Sequence, residues 1–180
     1  MWRLNFCIGS ILPRVTPLGK LVACLLAAGA LSGAARAAPP SPGTVVPGRS
    51  LGGVSLGATR AAVERSWGLS HGTCRSCLLP TWYFNSFAFR PEGAGATFRN
   101  GRVSALFTLW SPPGWHTNRG VAIGDDVARV TAVYGALHRV TCGSYEALVL
   151  PLRGTTTAFY VVAEKVWGFA LLARGEAVCR

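Results

Sequence analysis

Gly53-Val54-Ser55-Leu56-Gly57-Ala58-Thr59-Arg60-Ala61-Ala62-Val63-Glu64-Arg65-Ser66-Trp67-Gly68 recurs sixty-seven residues later as Gly120-Val121-Ala122-Ile123-Gly124-Asp125-Asp126-Val127-Ala128-Arg129-Val130-Thr131-Ala132-Val133-Tyr134-Gly135. The two stretches align without a gap, and six of the sixteen positions are identical. Each reads as a short strand, a glycine turn and a short helix. Gly57 and Gly124 permit a bend that a Cβ would resist. Thr59 and Asp126 stand where an N-cap oxygen accepts a backbone N–H. Val63 and Trp67 lie four apart, as do Val130 and Tyr134, so each pair shares one helix face. Gly68 and Gly135 sit where a helix ends in a left-handed residue.

The elements around the repeat alternate as strands do. Trp82 to Phe89 is dense in aromatics. Ala96 to Arg99, Asn100-Gly101 and Arg102 to Leu109 form a hairpin pattern, since Asn-Gly suits a type I′ turn. Val103, Ala105, Phe107 and Leu109 are expected on one face. The second copy is followed by Tyr145 to Leu150, Ala158 to Ala163, a turn at Glu164-Lys165 and Val166 to Ala173. Short turns between successive strands imply an antiparallel sheet with the helices on one face. The expected class is α+β: two tandem units, each a short helix on antiparallel strands, sharing one continuous sheet.

Gly57-x-Thr59, followed by Val63 and closed by Gly68, resembles a signature shared by two related groups. These are the secreted β-lactamase inhibitor proteins of actinobacteria and the SmpA/OmlA-like lipoproteins of outer-membrane assembly. The tandem arrangement resembles the inhibitor proteins more closely, over roughly residues 50–172. The resemblance implies helical segments packed on antiparallel strands, with an internal disulfide in each unit. The second copy reads Gly124-Asp125-Asp126 and departs from the signature. The family's inhibitory loops do not align with this chain, so no inhibitory residue is carried over.

Residues 1–37 read as a secretory signal. Arg3, Arg14 and Lys20 precede an apolar run, Leu21 to Ala35, too short to span a membrane, and Ala35-Arg36-Ala37 is a small-x-small cleavage site. The mature chain is expected to start at Ala38. Residues 38–48 carry Pro39, Pro40, Pro42 and Pro47 and are expected to form a linker. The first helix-and-hairpin unit is placed at 49–113 and the second at 114–180.

Four cysteines follow the signal: Cys74, Cys77, Cys142 and Cys179. An even count in an exported chain argues for disulfides, with three connectivities open. Cys74–Cys77 with Cys142–Cys179 is favoured, because the first pair is already adjacent in a loop. The alternative chemistry at Cys74 and Cys77 is thiol–disulfide exchange, with His71 in the same loop able to lower the Cys74 pKa. That motif follows a helix end, whereas redox centres favour a helix start. Zinc would need a fourth ligand beyond Cys74, Cys77 and His71, so no metal is assigned. No phosphate loop or nucleophile elbow is present, and neither a catalytic residue nor a cofactor is assigned.

After Ala37 the chain holds fourteen Lys and Arg against seven Asp and Glu, scattered without runs. An excess of this kind suits an anionic partner such as a cell-wall polymer, while export argues against nucleic acid. Trp82, Tyr83, Arg99, Arg102, Trp110 and Trp115 are the candidate binding side chains, because a sheet with helices on one face leaves the other free. The combined reading is an exported, non-catalytic binder of a secreted or envelope protein, an inhibitor or accessory. A thiol oxidoreductase and a binder of an anionic envelope polymer are the alternatives. Intact-mass analysis of the exported protein should show a chain starting at Ala38 that takes up no alkylating agent until reduced. A mass retaining residues 1–37 would overturn the signal reading.

Overall fold

The computed structural model describes residues 43–84, 93–110 and 113–180. The expected signal, the start of the proline-rich stretch, residues 85–92 of the aromatic run, and Ser111-Pro112 lie outside the described residues. In chain order come β1 (Thr44–Val46), β2 (Ser50–Leu51), β3 (Val54–Ser55), α1 (Arg60–Trp67), β4 (Gly72–Thr73), β5 (Thr81–Tyr83), β6 (Gly93–Arg99) and β7 (Arg102–Leu109). They are followed by β8 (His116–Thr117), α2 (Val127–Tyr134), β9 (His138–Thr141), β10 (Glu146–Leu152), β11 (Thr155–Val162) and β12 (Lys165–Ala173).

The fold is mostly β, with two short helices and two sheets. The larger sheet has eight antiparallel strands in the order β4-β5-β6-β7-β12-β11-β10-β9. Each half is a meander, and the halves meet where β7 pairs with β12. A smaller sheet runs β3-β2-β1-β8, with β1 and β8 parallel. The sequence pattern did not show this second sheet. Strand β1 lies inside the expected linker 38–48, and its Val45 is wholly buried. Pro47 interrupts no ladder, because it sits in the turn that follows.

The helices begin and end at the repeated positions. Thr59 caps α1 by accepting from Ala62 N–H at 3.2 Å. Asp126 has the same extended backbone but makes no cap bond; its carboxylate takes Lys165 Nζ at 2.8 Å instead. The two positions therefore share geometry but not the cap. Gly68 and Gly135 end the helices at φ 91°, ψ 170° and φ 81°, ψ −175°. This is not the left-handed well expected but a region open essentially to glycine alone.

Both glycine turns grip the hairpins in the same way. Gly57 N–H donates to Val103 O, and Val103 N–H to Ala58 O; Gly124 N–H donates to Val166 O, and Val166 N–H to Asp125 O. The hairpins themselves correspond. Asn100-Gly101 takes positive φ at both residues, as expected for type I′. The second turn is Ala163-Glu164, one residue earlier than expected, with φ 49° and 61°. Each turn is followed three residues later by a bulge. Thr97 faces Ala105 while Phe98 faces Val103, leaving Ser104 unpaired; Tyr160 faces Gly168 while Val161 faces Val166, leaving Trp167 unpaired.

The bulge corrects the expected face assignment. Ala105, Phe107 and Leu109 do share a face, but Val103 is flipped across the sheet to the helix side. On that side Val63, Trp67, Val130, Trp115, Phe98, Phe159 and Phe169 form the main core. Trp67 is nearly fully buried and donates Nε1–H to Gly52 O at 2.9 Å. Tyr134 is only half-buried, packed on Phe159 with Arg119 over its ring.

Thermal melts should separate these roles. Trp67→Ala should cost about 3–5 kcal/mol, since a large buried ring leaves a cavity. Thr59→Ala should cost about 1 kcal/mol. Asp126→Ala should cost less than Thr59→Ala, because it removes an exposed ion pair worth about 0–1 kcal/mol and no cap bond. Equal losses at the two cap positions would contradict the cap assignment.

Candidate functional site

The expected site residues do not converge. Trp82 lies in the helix-side core, its ring stacked on His71 at 3.9 Å and flanked by Arg60 at 5.7 Å. Trp115 is wholly buried. Neither can serve as a surface anchor, because the smaller sheet and α1 supply the layer that encloses them. Tyr83 projects to the opposite face, half-buried against Phe107. Arg99 reaches Glu176 at 2.7 Å, whereas Arg102 donates to Gly57 O at 3.3 Å. Trp110 is 58% exposed. It follows the last residue of β7 while Arg102 starts that strand, so the two lie at opposite ends of it.

Cys74–Cys77 and Cys142–Cys179 are both bonded, with Cα atoms 5.6 and 5.3 Å apart. The first closes a surface turn between β4 and β5. Cys77 Sγ lies 3.9 Å from Tyr83 Oη, on the face away from the helices. His71 is turned to the other side, with Nε2 3.8 Å from Glu64 and its ring on Trp82. The imidazole is therefore engaged away from the sulfurs, and the His71–Cys74 contact that the redox alternative would use is not formed. Among the described residues no three His, Cys, Asp or Glu side chains gather as a metal site would require.

The same turn carries a feature that the sequence reading missed. Leu78, next to the disulfide, is fully exposed, and Leu69, ahead of β4, is 78% exposed. A Leu-Leu-Pro run abutting a C-x-x-C was the available signal. Arg75 is exposed within the closed turn. A separate cleft of about 470 Å³ lies between the smaller sheet and the end of α1, with Thr44, Ser50, Ser66 and Trp67 in its walls.

The sheet face opposite the helices is not free, contrary to expectation. Residues 174–180 lie across it. Tyr160 Oη donates to Val178 O at 2.8 Å, and burial pushes its phenol pKa up. Arg180 sits over Phe107 at 5.7 Å and donates to Thr97 Oγ1 at 2.9 Å. Glu176 takes both Arg99 and Arg180. Elsewhere Arg139 bridges Glu146 and Glu164, and the Arg139 hydrogen bond holds the Glu164 carboxyl below its ordinary value.

No protein-family model matches the chain, and no curated protein matches it. The fold is similar to a DUF4309 family protein (YjgB) from Bacillus subtilis, with a TM-score of 0.51 and 13% identity, over 69% of this chain and 84% of that one. It is also similar to an extracellular protein containing a SCP domain from Bacillus anthracis, with a TM-score of 0.50 and 10% identity over 66% of this chain. The match covers 44% of that second protein, so this chain spans less than half of its length. At these identities the likeness concerns the fold alone. No helix among the described residues is long and apolar enough to cross a membrane.

Burial pushes the Glu176 carboxyl up, but hydrogen bonds from Arg99 and Ser104 and the charges of Arg99 and Arg180 carry it below its ordinary 4.5. A carboxylate with a depressed folded-state pKa contributes stability above its unfolded value and loses it as pH falls through the folded one. The hold on residues 174–180 should thus be constant from neutral pH down to about 4.5 and weaken below it. Amide exchange of that segment against pH reads this directly. Glu176→Gln should flatten the acid limb, and an unchanged limb would remove Glu176 from the account.

Proposed function

We propose that this is an exported, non-catalytic binding protein whose target is a secreted or envelope protein, which it inhibits or assists. The observation that carries the reading is Leu78, a large apolar side chain standing wholly in solvent on a disulfide-closed turn beside Arg75. A disulfide-closed loop gives up little conformational entropy on docking, enclosing the Leu78 side chain removes apolar surface from water, and Arg is a residue type enriched among interface anchors. The engagement of His71 with Glu64 and Trp82 favours this over thiol exchange at Cys74 and Cys77. Two bridged cysteine pairs support the extracytoplasmic location.

The two helix-and-hairpin halves are read as tandem copies of one unit. The support is the shared glycine-turn bonds, turn φ values and bulges, together with the gapless sequence repeat. Resemblance to the β-lactamase inhibitor proteins makes a secreted β-lactamase the first enzyme to test. Titrating the mature protein against one should slow hydrolysis stoichiometrically, and Leu78→Ser should weaken the effect. Without inhibition, capture from envelope extract that depends on Leu78 supports the accessory form. Binding indifferent to Leu78 and Arg75 would overturn the assignment of the turn.

A second reading has its own support. Five acids among the described residues are engaged by donors, Asp125, Asp126, Glu146, Glu164 and Glu176, and Glu64 lies 3.8 Å from His71 Nε2. Arg49, Arg65, Arg75, Arg129, Arg153 and Arg174 have no carboxylate partner among them, and this excess favours an anionic envelope polymer. Polymer binding would fall steeply with salt, whereas an apolar anchor at Leu78 would not.

A further inference from the structure

Residues 174–180 cover one face of the large sheet without joining it. Beyond Ala173 their main-chain bonding to other main-chain groups, among the described residues, is Glu176 N–H to Ala173 O, a turn closing on itself. The hold comes from elsewhere. Tyr160 Oη donates to Val178 O, and Tyr145 Oη meets Arg180 N–H and Arg180 O, each at 2.7 Å. The Arg180 guanidinium rests on Phe107 and bonds Thr97. Glu176 takes the Arg99 guanidinium at 2.7 Å, and a further tie is covalent, from Cys179 to Cys142 beyond α2.

The surface associated with the segment is shaped for it. The registers set Gly95, Phe107, Ala170 and Ala158 in one row across β6, β7, β12 and β11. Small residues lower the floor, while Phe107, Tyr160 and Leu172 form its raised apolar parts, and Val178 packs against this cluster. Of the two tying sulfurs, Cys179 belongs to an exposed residue and Cys142 to a half-buried one. An accessible sulfur is the one a thiolate attacks. A segment without a ladder is drawn from the low-stability end of a fold.

We infer that residues 174–180 are a redox-released strap: reduction of Cys142–Cys179 by a dithiol frees the segment and opens the apolar trough beneath, while the helix-side core stays folded. In the step, one thiolate of the dithiol attacks Cys179 Sγ and expels Cys142 as a thiolate. The second thiol of the reductant then attacks the mixed disulfide and frees Cys179. The reductant leaves as its own disulfide, two electrons pass to the protein, and two protons end on Cys142 and Cys179. Cys74–Cys77 closes only a four-residue turn, so its reduction releases no covering segment. Neither Cys142 nor Cys179 packs in the helix-side core, which is why that core is expected to survive.

The test uses the chain carrying Cys74→Ser and Cys77→Ser, which leaves Cys142–Cys179 as the bridge among the described residues. Amide exchange and binding of an apolar dye are followed before and after a dithiol is added. Reduction should abolish protection in residues 174–180 and raise dye binding, with β6, β7, β11 and β12 still protected. Arg180→Ala should lower the protection of residues 174–180 while the bridge is still oxidised. Unchanged protection of 174–180 on reduction would overturn the latch, since the non-covalent contacts would then suffice. Loss of protection throughout the sheet would also overturn it, by making the bridge a staple of the whole fold.

Discussion

Four backbone hydrogen bonds hold the architecture together. Gly57 and Ala58 clamp Val103 at the start of β7, and Gly124 and Asp125 clamp Val166 at the start of β12. Each clamp seats a short helix on the second strand of a hairpin, and those two strands pair at the centre of the sheet. An isolated eight-residue helix is unstable in water, so the helices exist because the clamps deliver Val63, Trp67 and Val130 to the core. The glycines matter because φ of 80° and 95° turns their N–H groups toward the hairpins without a Cβ penalty.

The seam between the halves imposes the next constraint. Gly168 in β12 faces Leu109 of β7, and a Cβ there would lie 2.3 Å from Thr108 O. No side chain fits, so the junction requires glycine in mid-strand. Gly95 answers a different need, because the Phe107 ring lies over it and supplies the packing that glycine lacks. The bulges at Ser104 and Trp167 then reverse side-chain parity beside each clamp. They place Val103 and Val166 in the helix-side core, while the later residues of the strands alternate from a new start.

This geometry gives the sheet two unlike faces. One is filled by helices and a small second sheet, the other by a strap and a floor of small residues. The polar chemistry is used mostly to fasten these layers: Glu176 gathers the strap, Arg139 ties β9 to β10 and the last hairpin turn, and Lys165 meets Asp126. Outside these ties stand Leu78 and Arg75 at the Cys74–Cys77 turn, both exposed.

Local signals in the sequence determined much of this fold. The repeat located both helices, Asn100-Gly101 located the first hairpin, and the parity of the cysteines was read as two bridges. These features were legible because caps, turns and helical spacing act within a few residues. The second hairpin turn was placed one residue late because Ala163-Glu164 adopts positive φ without any residue that asks for it. Strand β1 was hidden because its partners, β2 and β8, lie in separate parts of the chain. Only the tertiary structure decided which aromatics are inside, since Trp115 and Trp82 are enclosed by elements remote in sequence. It also decided that the second face is covered: a segment held by side chains and one bridge leaves no periodic trace, because periodicity records only the ladder it does not join.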